Sequence, residues 1–169
     1  KIFRNCILIG RRFRLAHVRF GREIIEVATF RAGAKQGCDK HKLSEHGMLL
    51  RDNVYGTIEE DAWRRDFTIN ALYYRIKDFS IIDYTGGIKD LEAKTIRMIG
   101  DPIVRYREDP VRMMRAIRLA AKTGLEIANE TSSPITKLMP LFENISSARL
   151  FDEVAKWFRS GKSLETFYL

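Results

Sequence analysis

A chain of 169 residues with 45% hydrophobic side chains has enough apolar surface for one sizeable domain or two small ones and should fold as a globular protein. The 30 lysines and arginines against 22 acidic residues leave a formal charge of +8, which favours a polyanionic partner, nucleic acid first, through neutralised phosphates and released counterions. No apolar run of 18 residues exists and no stretch has the length and polarity of an amphipathic anchor, so no membrane anchor is expected. Cys6 and Cys38 form neither a metal-type spacing nor a disulfide framework, which suits a reducing, cytoplasmic compartment. No signal peptide is visible. The chain opens on Lys1 in what reads as the approach to a strand, so the natural protein is expected to begin earlier.

Cys6 to Ile9 is a short apolar run, and Arg12 to Phe20 mixes apolar and basic residues at near-alternating spacing, as in strands with one wet face. Phe20 to Glu23 supplies a turn, and the β-branched run Ile24 to Phe30 predicts the second arm of a hairpin. Glu26 is the anomaly in that arm. A carboxylate among Ile25, Val27 and Phe30 costs on the order of several kcal/mol if buried unpaired, so it needs a cation, a metal or solvent. An edge strand with Glu26 pointing outward satisfies the same requirement. Residues 32 to 56 hold four glycines and no sustained period, which predicts a long mobile loop; His41 and His46 read as exposed loop residues rather than ligands.

Thr57 followed by Glu60 is a capping-box pattern and predicts a helix from Ile58. Ile58, Ala62, Ile69, Leu72 or Tyr73, and Ile76 continue an apolar stripe of helical period, interrupted where Arg64, Arg65 and Asp66 crowd together. Phe67 and Thr68 are mediocre helix formers, so a break near Asp66 and a second helix from Ile69 are expected. Arg64 and Arg65 are then placed to meet an anion and Asp66 to hold a hydroxyl, while Phe67, Ile69 and Leu72 fix the segment to the core. On spacing alone, an i, i+4 ion-pair network on a solvated helix accounts for the same residues equally well.

Beyond this stretch, Phe79 to Asp83 reads as a strand, Tyr84 to Gly87 as a tight turn into a helix from Ile88 to Ala93, and Thr95 to Ile99 as another strand. Asp101 and Pro102 mark a boundary after which strand signals stop and the sequence reads as helical. Asp109 followed by Pro110 is an N-cap with proline at the first helical position. From Val111 to Thr123, the residues Val111, Met114, Ile117 and Ala121 form an apolar stripe. Arg112, Arg115, Arg118 and Lys122 form a basic one at spacings of 3, 3 and 4. A solvated face is the ordinary account of such a stripe. Against it stand Glu108 and Asp109 at the helix start and the lack of i+4 partners for the cations. Further helices are predicted from Ile135 to Leu141 and from Ala148 to Ser160, with Phe151, Val154, Ala155 and Phe158 packing one side of the latter.

Arg64 to Leu72 resembles the nucleotide-binding motif of class II nucleotidyltransferases, the group containing tRNA CCA-adding enzymes and bacterial poly(A) polymerases. Ile25 to Arg31 is similar to the strand carrying the third acidic residue of that active site, Gly86 to Leu91 also resembles the family, and Arg107 to Ala121 resembles its base-selecting motif. Leu8 to Leu15 and Ala148 to Glu153 look like the poly(A) polymerase branch, the closer match. The resemblance covers nearly the whole chain. It implies an α+β protein: a polymerase-β-like nucleotidyltransferase head, incomplete at its N-terminus, over residues 1–100 and an all-α neck over 101–169. It implies template-independent transfer of AMP from ATP to RNA 3′ ends, as in polyadenylation and RNA processing, with two Mg²⁺ ions assisting. Glu26, a possible metal ligand, and Asp66 are the implied catalytic residues. Arg64, Arg65, Asn70, Asp109, Arg112 and Arg115 are the implied nucleotide contacts. Arg11, Arg12, Arg14, Arg118 and Lys122 are the implied RNA contacts. The family's metal-binding Asp-x-Asp strand is absent from these 169 residues and is expected ahead of Lys1, so the chain alone is expected to lack catalysis. A CCA-adding enzyme and a non-catalytic RNA-binding module are the alternatives.

Overall fold

The computed structural model describes residues 2–9, 15–32 and 55–168. Arg11, Arg12, Arg14, Cys38, His41, His46 and most of the expected loop lie outside the described residues. Strands β1 (Cys6–Ile9), β2 (Leu15–Phe20) and β3 (Glu23–Val27) form an antiparallel sheet in that order, with Cys6 opposite Val18 and Ala16 opposite Val27. The β2–β3 turn passes through Gly21 at φ +60°, a conformation that costs a residue without Cβ little. The expected dry face is not covered: within the three strands only Val18 is buried, and Leu8, Ile25 and Val27 are exposed.

The capping box forms as the spacing predicts. Thr57 Oγ1 accepts from the Glu60 amide at 3.1 Å, Glu60 Oε2 accepts from the Thr57 amide at 2.9 Å, and α1 runs Ile58–Arg64. The helix stops there because Arg65 is extended, with ψ 172°. The second helix expected from Ile69 does not exist. A single 3-10 turn, Thr68–Asn70, leads into β4 (Leu72–Arg75), which pairs antiparallel with β5 (Ser80–Asp83). Leu72, Tyr73 and Tyr74 are a short apolar run that fits either period; Ile82 and Ile81 across the hairpin decide for the strand. Asp83 then accepts from the amides of Thr85, Gly86 and Gly87 through Oδ1 and of Ile88 through Oδ2, starting α2 (Gly87–Glu92). Burial raises this carboxyl, but the four amides outweigh it and hold it below its usual value.

The chain beyond Asp101 is mostly but not wholly helical. Helix α3 (Pro102–Glu108), not foreseen, is capped by Asp101, whose Oδ1 accepts from Ile103 and Val104. Helix α4 (Val111–Thr123) ends at Gly124 with φ +70°. Strand β7 (Glu126–Ile127) pairs in parallel with β6 (Thr95–Ile96); two residues are too few to leave a periodic signal. Helices α5 (Asn129–Ser132), α6 (Ile135–Leu138), α7 (Ser147–Arg159) and α8 (Ser163–Tyr168) follow. The main core joins Phe67, Ile96 and Met98 to Tyr106, Met113, Ala116, Ala120 and Leu138, so one apolar cluster spans both sides of Asp101. The α4 stripe is wider than expected, adding Met113, Ala116 and Ala120 to Val111, Met114 and Ala121. On α7 the expected packing face is open. Phe151 is 71% exposed and Phe158 60%, and the one buried residue of that helix is Glu153. Its polarity hides it from any apolar count; its partners are described below.

Gly87 lies where α2 touches the turn at Thr68: a Cβ added there would sit 2.3 Å from the Thr68 carbonyl oxygen. Backbone cannot yield as a side-chain tip can, so Gly87→Ala should cost about 1–3 kcal/mol of stability. Urea denaturation of the two proteins measures it, and equal midpoints would mean the turn at Thr68 shifts freely.

Candidate functional site

The first wall of the site is built where α1 ends. Asp61, only 2% exposed, faces three residues of its own neighbourhood and one from far away. Its Oδ1 accepts from Arg64 Nε at 3.0 Å and the Arg31 amide at 3.1 Å. Its Oδ2 accepts from Arg65 Nε at 3.2 Å, Arg65 Nη2 at 3.1 Å and the Tyr73 hydroxyl at 2.8 Å. Spacings of three and four residues bring both arginines to one carboxylate. The ion-pair network and the anion-facing arginines are therefore compatible, since Asp61 holds the guanidiniums from behind while Arg65 stays 41% exposed. Arg65 also lies over the Tyr73 ring, 5.2 Å from its centroid.

Asp66 is placed by backbone. The Ile99 amide donates to the Asp66 carbonyl at 2.9 Å and the Thr68 amide to the Arg97 carbonyl at 3.0 Å, so the segment is strapped across Arg97 to Ile99 while Phe67 enters the core. The Asp66 side chain is buried; Oδ1 accepts from the Phe67 amide at 2.9 Å and from Asn70 Nδ2 at 3.4 Å. Its Oδ2 lies 2.6 Å from Arg115 Nη2 as an ion pair but without hydrogen-bond alignment, leaving an acceptor that is incompletely satisfied.

The second wall is the α3–α4 junction. Glu108 ends α3 and its Oε2 accepts from Arg105 Nη1 at 2.8 Å and Arg112 Nη1 at 2.9 Å. The i+4 partner that seemed missing from the basic stripe is thus Glu108 for Arg112, while Arg115 and Arg118 find Asp66 and Glu153 on other elements. Asp109 is not the first residue of the same helix as Arg112. It precedes proline and is extended, with φ −151° and ψ 93°, and Pro110 occupies the cap position, although Asp109 Oδ1 still accepts from the Val111 amide at 3.2 Å. Its Oδ2 accepts from Arg149 Nη2 of α7 at 2.7 Å.

Between the walls is an open cleft of about 540 Å³ lined by Arg64, Arg65, Asp66, Asn70, Asp109, Arg112 and Arg115. Four cations, two carboxylates and an amide converge from segments about 40 residues apart, a composition suited to an anion carrying hydroxyl and amine groups. Arg118 and Lys122 lie outside it. Arg118 Nε approaches Glu153 Oε2 at 3.8 Å, tying α4 to α7, and Lys122 is exposed. Glu26 lies on the outer strand β3, its side chain 63% exposed and 3.2 Å from His17 Nε2, so solvent and a histidine answer the anomaly seen in the sequence. No group of three or more His, Cys, Asp or Glu fit for a metal occurs among the described residues. The described residues therefore do not by themselves fit an Mg²⁺ centre. Asp61, Arg105 and Arg149 were missed by the sequence reading, and Glu108 was noted there without a role in the site. Asp61 was legible from its spacing to Arg64 and Arg65, whereas Arg149 had no local signal.

The mixed helix-and-sheet fold around the cleft is that of a polymerase head with a helical neck. The chain belongs to the family described as the Poly A polymerase head domain, whose model matches residues 1–97. A second model, described as the probable RNA and SrmB-binding site of polymerase A, matches residues 124–169. Poly(A) polymerase I of Escherichia coli is 57% identical over 172 residues, covering 100% of this chain and 37% of that protein. The CCA-adding enzyme of Bacillus pumilus is 36% identical over 155 residues, covering 92% of this chain and 37% of that enzyme. Among solved structures, a tRNA nucleotidyltransferase complexed with a primer tRNA and an incoming ATP analog superposes with a TM-score of 0.74 at 28% identity, over 96% of this chain and 44% of that one. The chain thus spans little more than a third of the curated relatives it matches.

Burial raises the Asp61 carboxyl, but the Tyr73 hydroxyl, the Arg64 cation and the Arg31 amide together hold it below its ordinary value of 3.8. Because the folded-state value is depressed, the ionised carboxylate stabilises the fold above pH 3.8, and that contribution is lost as pH falls through the lower folded-state value. Asp61→Asn should be less stable than the parent by about 3 kcal/mol at neutral pH. The gap should narrow as the pH drops below 3.8. Denaturant midpoints across a pH series measure this, and a gap independent of pH would assign the loss to packing.

Proposed function

We propose that the cleft binds ATP and serves template-independent transfer of AMP to RNA 3′ ends in a full-length polymerase that contains this chain. The RNA 3′-hydroxyl loses its proton to water as its oxygen forms a bond to the α-phosphorus, the bond from that phosphorus to the bridging α–β oxygen breaks, and pyrophosphate leaves. The observation that carries the reading is the convergence of the seven lining side chains on one cleft in a chain 57% identical to a poly(A) polymerase. Arg64, Arg65 and Arg115 supply donors for the triphosphate, and the incompletely satisfied Asp66 Oδ2 accepts from a sugar hydroxyl with Asn70 supporting it. Glu26, exposed and beside His17, would hold a metal only together with carboxylates that these residues do not supply. The 1–97 head and the 124–169 RNA-binding match support a head that takes the nucleotide and a neck that takes RNA, with Arg118 and Lys122 on the connecting helix. No helix among the described residues is long and apolar enough to cross a membrane, and we place the reaction in the cytoplasm on the Cys6 and Cys38 pattern.

Base choice follows from the second wall. Asp109 offers an acceptor and Arg112 a donor fork whose Nη1 is fixed by Glu108 and the Arg105 carbonyl at 2.8 Å. Adenine presents an amine beside ring nitrogens, which pairs with both groups. Guanine places a carbonyl where adenine has the amine and sets acceptor against acceptor, which costs more than a missing contact. Arg112→Ala in the full-length protein should therefore lower kcat/KM for ATP and reduce the ATP to GTP preference by about tenfold or more, read from single-nucleotide addition to an RNA primer. An unchanged preference would remove base selection from this wall.

The 169-residue chain by itself should bind RNA with a steep dependence on salt, because its +8 charge displaces counterions whether or not chemistry is possible. It should add no nucleotides. Fluorescence titration between ~50 and ~200 mM salt, paired with a primer-extension assay, tests both statements; extension by this chain, or salt-independent binding, would overturn them.

A further inference from the structure

Among the described residues, polar links join the walls of the cleft both inside it and behind it. The inner link is the Arg115–Asp66 pair, both of which line the cleft. The outer link is Arg105, which is not among the lining residues and whose side chain is 13% exposed. From the last turn of α3 its Nη2 donates to the Arg64 carbonyl at 2.7 Å and also to the Arg65 carbonyl, 40 residues back in the chain, while Nη1 donates to Glu108. These carbonyls close α1, where the last turn leaves acceptors unsatisfied and a cation is favoured. On its other side, Arg105 presents its own carbonyl to Arg112 Nη1, which also shares Glu108. One planar guanidinium thus touches the main chain of both anion-facing arginines and the residues that aim the base-facing one.

A nucleotide whose phosphates and sugar engage Arg115 and Asp66 must break the inner link. The outer link is untouched by such a ligand, because it lies behind the wall. We propose that Arg105 is a positioning residue that keeps the phosphate-facing and base-facing walls in one frame while the nucleotide replaces the Arg115–Asp66 pair; this rests on the nucleotide reading of the cleft given above. The shared core of Phe67, Tyr106 and Met113 holds the two segments together, and among the described residues Arg105 ties the carbonyls at the bend, where Arg65 turns extended, to the Glu108–Arg112 pair. Lysine cannot reproduce this. Its single ammonium carries the charge on a flexible stem and lacks the planar fork that serves two carbonyls and a carboxylate at once.

The test uses Arg105→Lys in the full-length polymerase that contains this chain, with single-nucleotide addition of ATP and GTP to an RNA primer. The melting temperature should stay near that of the parent. KM for ATP should rise about tenfold and the ATP to GTP ratio in kcat/KM should fall about tenfold, as expected when distant misplacement spoils a geometry. A merely structural arginine would change stability and leave the base preference alone. If Arg105→Lys folds and keeps the parent's KM and preference, the proposal is wrong. If it does not fold, Arg105→Gln, which keeps two N–H donors for the carbonyls, is read in the same way, and failure of both to fold would make Arg105 structural and overturn the proposal. Arg112→Ala is measured alongside. If it shifts the preference and Arg105→Lys does not, only the Arg105 proposal fails; if it shifts nothing, the reading of the cleft fails first.

Discussion

Like charges crowd at the centre of this molecule, and their neutralisation organises what surrounds them. Arg64, Arg65, Arg105, Arg112, Arg115 and Arg149 gather about a single cleft and its rear. Two unit charges ~6 Å apart repel by about 3 kcal/mol at an effective dielectric of 20, so such a cluster cannot stand without anions. Asp61, Glu108, Asp66 and Asp109 each take one or two of the guanidiniums. The excess remains positive, which makes the cleft attractive to anions.

The carboxylates do more than neutralise. Asp61 sits inside, and from there it decides where Arg64 and Arg65 point; Glu108 does the same for Arg105 and Arg112. Cations held from behind lose less entropy when they meet a ligand than free surface arginines would, which is the physical content of preorganisation. Glu153 plays a parallel role farther along α4, with Lys156 at 2.5 Å and Arg118 within ion-pair distance, so one cation of the basic stripe is tied to α7 while Lys122 is exposed.

The two family matches leave α3 and α4 between them. The head match ends at residue 97 and the RNA-binding match begins at 124, while the core and the β6–β7 pairing run across the interval. The segments on either side of Asp101 share apolar contacts that a loose linker would not have. The cleft is formed by both sides of that shared core.

Local order was legible in the sequence by itself. The capping box at Thr57 and Glu60, the stop after Arg64, the hairpin through Gly21 and the turn before α2 all rest on neighbours within a few residues, where side chain and backbone satisfy each other without outside help. The charged residues that line the cleft were marked by the family resemblance of Arg64 to Leu72 and of Arg107 to Ala121, because spacing alone suits a solvated ion-pair network equally well. What the tertiary structure decided is everything that depends on a partner distant in sequence. Leu72 to Tyr74 became a strand only because Ile81 and Ile82 lie opposite, and β7 exists only because β6 is beside it. Asp109 left the helix because Pro110 follows it, yet its Arg149 partner lies 40 residues on. Phe151 and Phe158 of α7 read as core by spacing and are exposed, because spacing defines a face and cannot say what meets it. The apposition of the two arginine-bearing walls belongs to the same class, since Arg105 reaches back to Arg64 and Arg65 through main-chain carbonyls that carry no trace in the sequence.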